Sequence, residues 1–382
     1  MLRTRSLAHT GARTLAACAA VLALAACDGG GGGGGVVNPP TPLVVTTAGR
    51  LERGGALTVT VTADGQPMAA GSYTLTVDPA DAATVAGDQV TLLRATAVTL
   101  TATASGRTGK TQVTIAAPPV VVFDRFTGDR NIWRVDLDGQ NLTQIQADPG
   151  EDQDPTVAQG KVVWLSFRSG NGELYAIPLA GGTTTRLTNT AADESVPALS
   201  PDGTRLAYAM AASGVTKVFA ANADGTGSAR VTPAGTGFDG AIETAPAWTT
   251  GSKLAFVTTA NGSADIFQTN PGGAAPSLLA GGNTAEVEPA WSADGATLAF
   301  VSNRSGSTEI YLMNVATGAV TQLTSGAGTK SQPAWTPDGR VVYLETLNGS
   351  RLRWVDPAQP ATVHTIDTGT GTVGHPAVTA AP

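Results

Sequence analysis

Acidic residues gather just ahead of a recurring proline. Glu151, Asp152 and Asp154 precede Pro155, Asp193 and Glu194 precede Pro197, Glu243 precedes Pro246, and Glu286 and Glu288 precede Pro289. Two further prolines, Pro333 and Pro376, follow Lys330 and His375 instead. Carboxylates converging in a fold could hold a hard cation such as calcium through their oxygens, or a basic peptide. Spread over a solvated rim, the same residues only keep the chain soluble.

Catalysis would need a nucleophile with a base, paired carboxylates of shifted pKa, or a metal with an open position. The chain has three histidines, His9, His364 and His375, and no G-x-S-x-G, H-E-x-x-H or cysteine cluster. No enzyme is expected on this count. The enzymatic alternative is a metal-dependent activity resting on His375 and the neighbouring acids. ASGRTGKT at 104–111 nearly spells a phosphate-binding loop, but Ala104 stands where its first glycine belongs. Strand-like runs flank it where a helix start is required, so a hairpin turn over Ser105–Gly109 is the expectation.

The elements that position the acids repeat. The proline recurs at 155, 197, 246, 289, 333 and 376, with spacings of 42, 49, 43, 44 and 43. Each unit reads as four short strands, as in PAWSA, TLAFVS, EIYLMN and VTQLT. Repeats of this length built only of strands predict propeller blades, one four-stranded sheet each. Gly128, Gly170, Gly214, Gly262, Gly306 and Gly349 mark the turns between second and third strands. Ser-x-Asp-Gly, with Thr336 in place of the serine at 336–339, marks the turn between first and second, so Asp202, Asp294 and Asp338 are turn-makers. Trp248, Trp291 and Trp335 are expected to wedge between blades. The unit opening at VVVFDRF (120–126) lacks a first strand, and HPAVTAA at the C-terminus is a first strand without a unit. Joining them closes six blades, which leaves no open outer seam.

The repeat resembles the TolB-like, WD40-like propeller repeat PxWSPDGxxLAFxSxRxGxxEIYxMN, over about 260 residues. The resemblance implies a binding platform in the cell envelope, with peptides or proteins docking at one face or mouth of the ring. The α/β domain that precedes the propeller in TolB itself has no counterpart here.

Loops into the first strands and turns between second and third strands share one face of such a ring. That places Glu151, Asp154, Asp193, Glu194, Glu243, Glu286, Glu288 and His375 at the channel mouth as candidate ligand-binding residues. Five of these loops have eight residues, whereas the one between Thr232 and Pro246 has thirteen and brings Phe238. Long loops of this kind often carry binding functions. Three readings follow: an envelope binding or scaffold protein, a polysaccharide-binding surface lipoprotein, or a metal-dependent enzyme in the channel. No cofactor is required, although the acidic mouth could take a cation.

Ahead of the repeat, residues 43–117 alternate apolar residues with threonine, as in LTVTVT and VTLTATA, which predicts a small β-sandwich. The stretch DPADAATVAGDQVTLLRATAVTLTATASGRTGKTQVTI resembles bacterial Ig-like domains, which implies a spacer or adhesive module. The full expectation is an all-β chain, with an Ig-like sandwich followed by a six-bladed propeller over 120–382. Residues 1–26 read as a lipoprotein signal peptide, with Arg3, Arg5 and Arg13 ahead of an apolar run ending in Leu24-Ala25-Ala26-Cys27. This resembles the bacterial lipobox, which implies lipid attachment at Cys27 and a tether over 27–42 that contains seven consecutive glycines. Loss of the three arginines would take the net charge from −7 to −10, arguing against nucleic acid as a partner. The expected protein is a monomer, exported and lipid-anchored to a bacterial membrane, in the periplasm or at the cell surface.

Overall fold

The computed structural model describes residues 41–381, apart from 95, 213 and 274. The proposed signal peptide, Cys27 and the tether as far as residue 40 lie outside the described residues. The chain divides between Ala117 and Pro118 into two compact units, and the described residues of both are all-β.

In the first unit, alternation does the folding. Along Ala56–Ala63 the apolar Leu57, Val59 and Val61 are buried and the threonines between them exposed. A five-stranded sheet built around this strand faces a three-stranded sheet of Thr74–Asp78, Ala97–Ala104 and Arg107–Thr114. Val90, Leu92, Val98, Leu100 and Val113 join the same core, so the unit is a β-sandwich. The near-match to a phosphate loop is a hairpin: Ser105 and Gly106 take positive φ, and pairing resumes at Arg107. The turn is shorter than Ser105–Gly109, because Gly109 already pairs with Ala102.

The second unit holds six four-stranded antiparallel sheets. Blade 1 is closed by the C-terminal strand, Thr372–Thr379, which pairs with Val120–Phe126. The first strands of blades 2 to 6 are Asp152–Ala158, Glu194–Leu199, Glu243–Trp248, Glu286–Trp291 and Thr329–Trp335. Each touches the first strands of the blades on either side, and with Thr372–Thr379 they complete a ring. All six glycines between second and third strands have positive φ, the region that glycine adopts without steric cost. The Ser-x-Asp-Gly turns close as their chemistry dictates. Ser292 Oγ donates to Asp294 Oδ1 at 2.6 Å, and the N–H of Ala296 donates to the same oxygen at 3.0 Å.

The seams between blades combine apolar packing with directed bonds. Trp248 Nε1 donates to the Ala198 carbonyl and Trp335 Nε1 to the Ala290 carbonyl, both at 3.1 Å and both one blade back. Beside them run buried charges: Lys217 of blade 3 meets Glu243 of blade 4 at 3.2 Å, and Glu309 of blade 5 meets Lys330 of blade 6 at 3.5 Å. The two seams use the same positions with the signs exchanged. Between blades 2 and 3 the same positions hold two carboxylates, Glu173 and Glu194.

Candidate functional site

Every first strand breaks register at the residue before its proline. There a bulge inserts an unpaired residue, in blade 2 for instance between Gln153 and Thr156. The inserted residue turns into the left-handed region in all six blades: Asp154 (φ 53°), Val196 (41°), Ala245 (46°), Glu288 (53°), Gln332 (55°) and His375 (48°). The following proline has no N–H to offer the ladder, which suits a bulge. These six residues and their prolines line a cavity of about 150 Å³ at the head of the channel. A β-branched residue at positive φ is costly, and Val196 marks how firmly the ring imposes this turn.

Half of the ring is stitched by hydrogen bonds. The Gln332 N–H donates to Glu288 Oε2 at 2.5 Å, and the His375 N–H donates to Gln332 Oε1 at 2.8 Å. His375 then reaches the next blade, its Nε2 lying 2.9 Å from Asp154 Oδ1. Its other nitrogen, Nδ1, lies 2.6 Å from Asp124 Oδ2. Asp124 is fully buried and also accepts from Arg130 Nη1. Burial alone would lower the His375 pKa; the hydrogen bonds to Asp124 and Asp154 outweigh it and push the pKa up to about 10. The ring is an imidazolium at neutral pH, with an N–H for each carboxylate. Burial pushes the Glu288 carboxyl up, against the Gln332 N–H and the His375 charge.

Asp124, Asp154 and His375 are also the cluster among the described residues whose ligand atoms are close enough to hold a cation. A metal there would have to displace a proton that two carboxylates hold tightly.

Of the residues expected at the mouth, the structure brings Asp154, Glu288 and His375 into the cavity. Glu151 is exposed beside it, 3.8 Å from Arg130, and exposed Asp193 accepts the Gly172 N–H. Glu194, Glu243 and Glu286 stand elsewhere, buried two residues before the bulge, because that register position points into the seam between blades. Glu194 accepts from Thr188 and Thr190, Glu243 from Lys217, Thr232 and the Val218 N–H, and Glu286 from Thr284, Ser302 and Arg304. Phe238 is not a mouth residue either. It turns inward against Phe267, ring centroids 5.5 Å apart, because the long loop folds over the Lys217 ammonium. That ammonium donates to the carbonyls of Phe238 and Ala241.

Sequence reasoning missed Val196, Ala245 and Gln332, and also Asp124. Their signals were present. The first three each precede one of the six prolines, and charge alone drew attention to their neighbours. Asp124 interrupts a register filled elsewhere by Leu165, Val257, Val301 and Leu344, a carboxylate where every blade is otherwise apolar.

Residues 236–362 match the TolB beta propeller domain. The propeller of this chain is TolB-like. Two proteins named TolB homolog, from Chlorobium luteolum and Chlorobium chlorochromatii, are each 30% identical over 140 residues, which is 37% of this chain. That stretch covers 31% and 30% of those relatives, so the chain spans about a third of the length of the curated relatives it matches. In fold, the chain resembles the crystal structure of TolB from Acinetobacter baumannii, with a TM-score of 0.61 at 17% identity, over 90% of this chain and 88% of that one. A nidogen/laminin complex contains a similar fold, with a TM-score of 0.55 at 14% identity, over 68% of this chain and 97% of that one.

Proposed function

We propose that this is a lipid-anchored cell-envelope binding protein, whose TolB-like propeller presents its channel mouth as a docking platform for a protein or peptide. One observation carries the reading. The six bulge residues frame an open cavity lined by Asp154, Val196, Ala245, Glu288, Gln332, His375 and prolines, a set with charged and amide recognition groups and without a hydroxyl or thiol nucleophile. The base that catalysis would recruit, His375, is held as an imidazolium between two carboxylates. Lipid attachment at Cys27, the tether and the Ig-like sandwich as spacer complete the proposal: a monomer held off the membrane in the periplasm or at the cell surface.

The test is capture from detergent-solubilised envelopes with residues 37–382 as bait, beside an Asp154→Asn/Glu288→Gln variant. A protein retained by the first and lost from the second supports docking at the mouth. Equal retention would move the site off the channel.

One observation favours polysaccharide binding as a second reading. Phe126 and Phe167 are about 40% exposed at equivalent turns of adjacent blades on the mouth face, where aromatic rings could stack on sugar. Retardation of the chain in gels containing envelope polysaccharide, lost in Phe126→Ala/Phe167→Ala, would support it.

A further inference from the structure

The stitching of the ring stops half-way round. In blades 6 and 1 the bulge N–H is met by the side chain of the preceding bulge residue: Glu288 accepts from Gln332, and Gln332 accepts from His375. Ala245 and Glu288 share the same left-handed turn and the same break in register. The residues that precede them in the ring are Val196 and Ala245, which carry no acceptor. Asp154, which precedes Val196, turns its carboxylate back to His375. The arc from Val196 to Glu288 is therefore the unstitched half of the cavity.

What could complete it is limited by the neighbours. The group must accept from N–H donors at Ala245 and Glu288, and it must sit beside the Glu288 and Asp154 carboxylates. An anion accepts but meets those two acids. A cation suits the acids, yet it cannot accept and faces the His375 imidazolium. A neutral group that both accepts and donates suits the arc; a hydroxyl does so from a single oxygen, whereas a primary amide spans it with two atoms, its oxygen taking an N–H and its nitrogen donating to Glu288. The chain already shows this mode one step further round, where the Gln332 amide oxygen takes the His375 N–H at 2.8 Å. The cavity volume of about 150 Å³ leaves room for the end of one such side chain.

We infer that the arc between Val196 and Glu288 is a receptor for a side-chain amide, an Asn or Gln presented by the docked chain, which would occupy the unstitched half of the ring as Gln332 occupies the other. The inference rests on the docking reading and names the chemistry of the group that enters the channel.

The experiment uses the full chain and three isosteric probes, Ac-Gly-Gln-Gly-NHMe and its Glu and Leu counterparts, followed by amide resonances of the propeller. The Gln probe should give saturable shifts at the Ala245 and Glu288 N–H. The Glu and Leu probes should be weaker by roughly tenfold or more. Ala245→Gln, which supplies an internal acceptor to Glu288, should abolish the shifts while keeping the spectrum of a folded propeller. Equal response to Glu or Leu, no response to Gln, or a full response in Ala245→Gln would overturn the inference. Its failure is distinct from failure of the docking reading: envelope capture by the unchanged mouth would persist in the first case and be lost in the second.

Discussion

The backbone N–H of His375 donates to Oε1 of Gln332 across the joint between the last blade and the first. His375 lies on the C-terminal strand that completes blade 1, so this bond belongs to the closure of the ring as well as to the cavity. Gln332→Leu keeps the bulk and removes the acceptor. It is expected to cost about 1 kcal/mol, seen as a fall in Tm of about 2–4 °C. A Tm unchanged by calorimetry would mean that closure does not depend on the bond.

His375 should impose a pH dependence. Its folded pKa is raised to about 10, above its ordinary value of 6.5. The stability it contributes is complete below pH 6.5 and is lost as pH rises towards 10. His375→Gln leaves buried Asp124 with less compensation and should cost about 2–3 kcal/mol at pH 7, less than a fully buried pair because the ring is part-exposed. Denaturant unfolding from pH 6.5 to 10 should show the wild type converging on the variant, and parallel curves would contradict this.

The Glu173–Glu194 seam predicts the same sign in a different window. Burial, with Glu173 beside it, pushes the Glu194 carboxyl up to about 7, whereas hydrogen bonds hold Glu173 down in spite of its burial. One proton is thus held on Glu194 and shared with Glu173 in a hydrogen bond between the two carboxyls. The contribution is present below pH 4.5 and is lost as pH rises through 7. Glu194→Gln makes the neutral form permanent and should raise Tm at pH 8 by about 2 °C or more, with little effect at pH 5. A Tm that falls equally at both values would remove the shared proton from the account.

Lys217 is a structural cation at the root of the long loop. Lys217→Met leaves buried Glu243 with Arg230, 3.8 Å away, as its remaining cation, and should cost about 3 kcal/mol, the low end for a broken buried pair. The double variant Lys217→Met/Glu243→Gln should recover part of that, and urea unfolding of both single variants and the double measures the coupling. Additive losses would show that the two residues act independently.

The blades were legible because their signals are local: a proline and a glycine of positive φ recur with each sheet, and a Ser/Thr-x-Asp-Gly turn recurs in three of them. Ring closure followed from a first strand missing at 120 and a spare one at 376. The mouth was only partly legible, because charge is a weak guide to which way a side chain faces. Glu288 and Glu286 differ by two positions; one lies in the bulge and points to the channel, while the other stays in the ladder and points into a seam. The inserted residue sets that difference, and no count of acids contains it. Phe238 was misplaced for a similar reason. A longer loop suggested a surface, but a buried ammonium needed carbonyls and drew the loop inward.

A partner that docks at the channel mouth should touch that face of the ring and not the other. A photocrosslinking residue placed at Ile242, exposed on the mouth-face loop that enters the strand Glu243–Trp248, is compared in intact envelopes with one at Ala293, exposed in a turn of the opposite face. A discrete adduct from Ile242 that is missing from Ala293 and competed by soluble propeller is the predicted result. Adducts of equal yield from both faces, or from Ala293 alone, would contradict it.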